Sequence, residues 1–150
     1  MREHTAPWKC MYAKEDKSKC KPGKKPKSNQ EYFEILCLCI LQSGLNWKMV
    51  RKNWSKIKKG FYNFNINHLS KITSKKLFSR EGVFKNERKV NAIIANAKEF
   101  HKILKEFGSF SRYLESLKKP KDRDAIRELR KRFKHVGEYT AEYYLHSIRY

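Results

Sequence analysis

Between residues 87 and 106 the apolar residues fall at helical spacing. Val90, Ile93, Ile94, Ala97, Phe100 and Leu104 recur three and four apart, which puts them on one face of a helix. No run of the chain alternates with period two, so strands are not predicted. Helical stripes must be buried against one another. The predicted class is therefore all-α, a compact bundle of short helices. At 150 residues the chain suits one compact domain.

The other elements follow from start and stop signals. Ser28 and Glu31 have the spacing of a capping box and open a first helix that Gly44 ends. Trp47, Val50, Trp54 and Ile57 form one stripe, predicting a single helix from Asn46 to Gly60. An aromatic connector, Phe61 to Phe64, comes next. Asn65 and Thr73 are predicted N-caps of two short helices near residues 66–72 and 74–79. After the long helix, further helices are predicted over 110–117, about 124–132 and about 139–148. Residues 1–27 read differently. Seven lysines lie between Lys14 and Lys27, with Pro22, Gly23 and Pro26 among them, so this part is expected to be a basic arm preceding a helical domain at 28–150. There are no internal repeats.

Composition limits the partner. Thirty-six Lys and Arg face 15 Asp and Glu, a formal charge of +21. Such a field attracts polyanions, and nucleic acid is the expected partner. Nine Phe, eight Tyr and three Trp supply core area despite a hydrophobic share of only 39%. The longest apolar run, Ile35 to Leu41, is too short to span a bilayer, so no membrane partner is expected. With no signal-peptide pattern, the expected location is intracellular, cytoplasmic or nucleoid-associated, as a monomer. Cys37 and Cys39 sit in the apolar run and read as small core residues. Cys10 and Cys20 are spaced more widely than a zinc-knuckle pair. No cofactor is expected, a structural zinc at those two with His4 being the alternative.

Two segments carry candidate chemistry. Leu129 to Glu142 reads as a helix, a tight Gly-containing turn and a second helix. Backbone N–H groups at the second helix's start can hold a phosphate, with Arg130, Lys131, Arg132 and Lys134 beside them. A plain helical hairpin would read the same way. In the second segment Gln42, Ser43 and Trp47 lie where the first helix gives way to the next. An aromatic beside amide and hydroxyl groups suits an extruded base, although Trp47 alone reads equally as core.

Four ordered segments then carry a resemblance. They are Tyr32 to Cys37 with Gln42-Ser43-Gly44-Leu45-Asn46-Trp47; Phe61 to Asn65; Lys85 to Ala97; and Arg130 to Gly137. Together, from about residue 28 to 145, they resemble the 3-methyladenine DNA glycosylase I family of the helix-hairpin-helix glycosylase superfold. The resemblance implies a monofunctional enzyme of base-excision repair. It would extrude an alkylated purine from duplex DNA and hydrolyse its N-glycosidic bond. It implies a base pocket at Trp47, Gln42, Ser43 and Phe33, and a DNA clamp at Lys131, Arg132, Lys134, His135, Val136, Gly137 and Thr140.

The departures are specific. The family's pocket carboxylate falls on Cys39, the one candidate catalytic position. His135 stands where the hairpin usually has its first Gly. The family's N-terminal pocket and zinc motif has no clear counterpart, and its C-terminal zinc ligands would fall at or beyond residue 150, so no metal is carried over. A 3-methylated adenine is cationic and leaves as a neutral base, so chemistry without the carboxylate remains feasible through positioning and desolvation. Glu34 cannot substitute, being about 140° round the helix from Cys39. Glu138 and Glu142 are the other candidates. The alternative expectation is a non-catalytic or altered-specificity DNA-binding relative.

Overall fold

The computed structural model describes residues 23–45, 47–118 and 122–150, with backbone alone at 47–48 and 122–124. Among these residues there are nine α-helices and no strand. In order they are α1 (Asn29–Gln42), α2 (Trp47–Lys52), α3 (Trp54–Gly60), α4 (Ile66–Lys71), α5 (Ser74–Phe78), α6 (Glu87–Phe107), α7 (Phe110–Leu117), α8 (Asp122–Arg132) and α9 (Glu138–Ser147). The all-α bundle predicted from the spacing is the fold observed.

α1 is the central strut. Every residue from Leu36 to Gln42 is buried, so this helix is covered all round rather than on one stripe. It packs against α6, α7 and α9, while α4 and α5 pack on α6. The core between them is aromatic. Phe100 stacks on Phe110 at 4.1 Å, and Phe33 meets Phe100 edge-on at 5.0 Å. Phe133 closes the cluster at 5.6 Å from Phe100. Apolar bulk that a low aliphatic content withholds is thus supplied by rings.

The caps form largely where predicted. Ser28 accepts from Glu31 N–H, Asn65 from His68 N–H and Thr73 from Lys76 N–H. Glu31 reaches back one residue further than a standard box, accepting from the Lys27 N–H at 2.9 Å. The single helix predicted over 46–60 is instead two. They meet at Asn53, whose backbone leaves the helical region at φ −100° and ψ 11° while its side-chain amide donates to the Met49 carbonyl at 3.0 Å. Gly60 is needed for contact, since a Cβ there would lie 2.6 Å from the Glu81 carbonyl oxygen.

The aromatic connector is a left-handed turn. Tyr62, Asn63 and Phe64 have φ of 55, 56 and 54° in succession, a conformation that side chains resist. Gln30 of α1 holds it, donating to the Asn63 and Phe64 carbonyls and accepting from Ile66 N–H. Phe61 and Phe64 stack in the core beneath it.

The basic arm expected at 1–27 lies outside the described residues up to residue 22. Its last part packs on the body. Gly23 and Pro26 are buried, and the Gly23 N–H donates to the His146 carbonyl at 3.0 Å. No helix among the described residues is long and apolar enough to cross a membrane.

Candidate active site

A cavity of about 290 Å³ opens where α1 ends and α9 begins. Cys39, Gln42 and Ser43 form one wall, with Gly44 and Leu45 at the turn that follows. Tyr139, Thr140 and Tyr143 of α9 form the other. The volume accommodates a purine. Two side chains at its edge are exposed apolar groups, Leu45 at 44% and Tyr139 at 42%. No carboxylate is among the described residues that line it.

The helical period explains the first wall. Cys39 and Gln42 are three apart on α1 and share a face near its C-terminus. Gly44, at φ 72°, then turns the chain away. The wall is pinned from behind by Lys89 of α6. This lysine is 4% exposed, and its ammonium donates to the Leu41 carbonyl at 3.0 Å and the Ser43 carbonyl at 2.6 Å. A cation here meets the negative end of the α1 dipole and caps carbonyls that the helix leaves open. Burial lowers the Lys89 pKa below the usual lysine range.

The hairpin joins α8 to α9 through Phe133 to Gly137. His135 takes the left-handed conformation, φ 60°, at the position where a Gly is usual. Val136 is buried and anchors the turn, while Gly137 is the exposed N-cap residue of α9. Asn96 of α6 clamps the turn from beneath. It is fully buried, accepts from the Lys134 N–H at 2.7 Å and donates to the Lys134 carbonyl at 3.0 Å. The His135 pKa is lowered by burial, with the Lys89 and Arg88 charges adding to it. The positive charge at this turn therefore comes from lysine and arginine at neutral pH.

The expected site residues divide as follows. Gln42, Ser43 and Cys39 come together in the cavity, and Thr140 joins them rather than standing apart with the hairpin. The Ser43 hydroxyl donates to the Ile40 carbonyl at 2.7 Å, so its proton is already engaged. The Trp47 side chain, expected to stack on the base, lies outside the described residues. Phe33 does not belong to the pocket. It is fully buried against Phe100 and is a core residue, because its position on α1 faces α6. Lys131 and Lys134 are exposed beside the hairpin. Arg132 is not free for phosphate: it turns inward to Glu106 at 3.0 Å and Glu99 at 3.6 Å, with its guanidinium over the Tyr113 ring at 5.2 Å. Tyr139 and Tyr143 were not anticipated from sequence. The available signal was their spacing of four on α9, on either side of Thr140.

The candidate carboxylates are elsewhere. Glu34 pairs with Lys58 at 2.8 Å, and neither Glu138 nor Glu142 lines the cavity. Among the described residues no cluster of three His, Cys, Asp or Glu could hold a metal ion. Cys10 and Cys20, the alternative zinc pair, lie outside those residues.

Known proteins resemble this chain in sequence and fold. A family sequence model described as methyladenine glycosylase matches residues 16–144. A DNA-3-methyladenine glycosylase from Haemophilus influenzae is 28% identical over 95 residues, which is 61% of this chain and 51% of that protein. The chain thus spans about half the length of this curated relative. The fold superposes on the 3-methyladenine DNA glycosylase I of Staphylococcus aureus with a TM-score of 0.73 at 22% identity, covering 85% of this chain and 79% of that one. A solution structure of a 3-methyladenine DNA glycosylase I gives 0.67 at 20% identity, covering 85% and 80%. The match extends over most of the described helices and includes both walls of the cavity, and this chain belongs to the methyladenine glycosylase family.

Proposed function

We propose that this protein is a DNA N-glycosylase of base-excision repair that extrudes a 3-methyladenine-like alkylated purine from duplex DNA into the cavity between α1 and α9. The observation that carries the reading is the sharing of α9. Its N-terminus belongs to the α8–α9 hairpin, and its first two turns wall the cavity. A strand held at the hairpin therefore has its neighbouring nucleotide within reach of the cavity. Leu45, exposed at the rim, is placed to fill the gap an extruded base leaves in the stack.

The chemistry does not require a carboxylate in the pocket. A base methylated at N3 carries a positive charge before cleavage. When its bond to the sugar C1′ breaks, the electron pair goes to the base, which departs neutral. Water then adds to C1′ and loses its proton to solvent. No leaving-group acid is needed, so orientation and exclusion of water can supply much of the rate. The rings of Tyr139 and Tyr143 offer π faces toward a cationic base. Chromatography of bases released from dimethyl sulfate-treated duplex DNA tests the reading. Release of 3-methyladenine is expected, and no release at large enzyme excess would sink it.

Cys39 favours a second reading, a DNA-binding relative of altered specificity or none. It occupies the carboxylate position and its side chain lines the cavity. Under that reading the native protein is inactive and Cys39→Glu creates activity.

A further inference from the structure

The rim turn of the cavity and the hairpin turn are both held by one helix. Lys89 and Asn96 lie seven residues apart on α6, roughly 20° short of two full turns, so they share a face about 10 Å apart along its axis. Lys89 holds the rim turn. Its ammonium takes the carbonyls of Leu41 and Ser43, and the Gln42 carbonyl between them accepts from the Leu45 N–H at 3.0 Å. Asn96 holds the hairpin turn through both backbone groups of Lys134. Between the two anchors Val90 and Ile93 are fully buried, so this stretch of α6 is a fixed part of the core. Neither Lys89 nor Asn96 is among the described residues that line the cavity.

A buried ammonium is a costly cap. Taking it out of water is expensive, and carbonyls at a helix end can be met by water or by a surface lysine instead. What a cation rooted in the core adds is position. Lys89 also lies close enough to the hairpin for its charge to lower the His135 pKa, so the first anchor is near the second turn as well. We propose that Lys89 and Asn96 act together as positioning residues, fixing the spacing between the rim turn at 43–45 and the hairpin turn at 134–137, so that a strand held at one delivers its nucleotide to the other. The use made of that spacing rests on the glycosylase reading. The two anchors serve one distance, so losing either releases it. A misplacement of about 1 Å can slow a reaction on the order of a hundredfold, and neither side chain need touch the base to matter.

A double-mutant cycle tests this, with Lys89→Met, Asn96→Ala and the pair. Release of 3-methyladenine from dimethyl sulfate-treated duplex DNA is measured at saturating enzyme, per folded molecule, beside affinity for undamaged duplex and stability to urea. Each single variant should slow release roughly tenfold to a hundredfold. Lys89→Met should keep its affinity for undamaged duplex, since the ammonium is buried and meets no phosphate. The pair should be no slower than the slower single variant, while the two stability losses add, as they do for sites this far apart. Two separate structural roles would instead multiply the rate losses. That multiplication overturns the proposal, as does unchanged release by Lys89→Met. Should either variant fail to fold, Lys89→Gln and Asn96→Ser replace them under the same criteria. If the native protein releases no base, the glycosylase reading falls. The cycle is then read from the fluorescence of 2-aminopurine in a bound duplex, which rises as a base leaves the stack. That rise should shrink in each single variant and no further in the pair. A native protein that neither releases nor extrudes a base removes both readings.

Discussion

Two residues in the hairpin region show how much the turn depends on single groups. Asn96 satisfies both backbone polar groups of Lys134 from within the core. Asn96→Ala leaves a donor and an acceptor unpaired, and the expected loss is about 2–4 kcal/mol. Urea denaturation measures it, and a change under about 0.5 kcal/mol would show the clamp to be dispensable. His135 presents the opposite case. Its left-handed backbone strains any residue with a Cβ by about 1–2 kcal/mol. Gly relieves that strain but gains freedom in the unfolded chain, so His135→Gly should leave the melting temperature level or raise it by a few degrees. His135→Ile should lower it, because a branched Cβ tolerates that conformation least. The departure from Gly at 135 is plain in the sequence. That the backbone keeps the glycine conformation regardless is not, since it depends on packing, with Asn96 clamping the turn from beneath and Val136 buried within it.

At the scale of elements, α8 shows where a charge run misleads. Arg130, Lys131 and Arg132 read as one basic patch, yet the helical period sends consecutive residues in different directions. Arg130 and Lys131 are exposed, whereas Arg132 faces α6 and α7 and pairs with Glu99 and Glu106. The two kinds of residue should respond differently to substitution. Lys131→Ala and Lys134→Ala should each reduce the slope of log affinity for duplex DNA against log salt by about 0.9, with stability unchanged. Arg132→Ala should leave the slope alone and cost about 1–2 kcal/mol of stability, through lost ion pairs and ring contact. Fluorescence anisotropy across a salt series separates them, and a slope change in Arg132→Ala would reassign that residue to the clamp. The same limit applies to the cavity. Its α1 wall was legible, because Cys39, Gln42 and Ser43 are close in sequence. Its α9 wall, a hundred residues on, depends on tertiary packing, which periodicity does not encode. Phe33 was misplaced for the related reason that one helix has two faces, and only packing shows which of them meets α6.

The whole molecule combines a ring-filled core with a surface of high positive charge, and each sets a limit. Tyr113 and Tyr144 are buried at 2% and 0% exposure, and burial raises both phenol pKa values. The unfolded chain ionises them near pH 10, while the folded one holds them neutral. Stability is thus intact below about pH 10 and falls above it, by about 1.4 kcal/mol per buried tyrosine at pH 11. Tyr113→Phe, which also removes a hydroxyl with no partner among the described residues, should flatten that alkaline loss. Equal alkaline sensitivity in the variant would assign the loss to other groups. The surface charge makes the last prediction. The hairpin exposes only Arg130, Lys131 and Lys134 among its described cations, so a clamp acting alone would release counterions from about three phosphates and give a salt slope near −3. A formal charge of +21 is far more than three contacts require. Extruding a base also unstacks the duplex, at a cost of a few kcal/mol that binding must offset. Phosphate contacts beyond the hairpin are the means this composition provides. Native protein on duplex DNA should therefore show a slope of about −5 or steeper, corresponding to six or more neutralised phosphates. A slope near −3 would confine DNA contact to the hairpin and leave the remaining charge to keep the protein dispersed in solution.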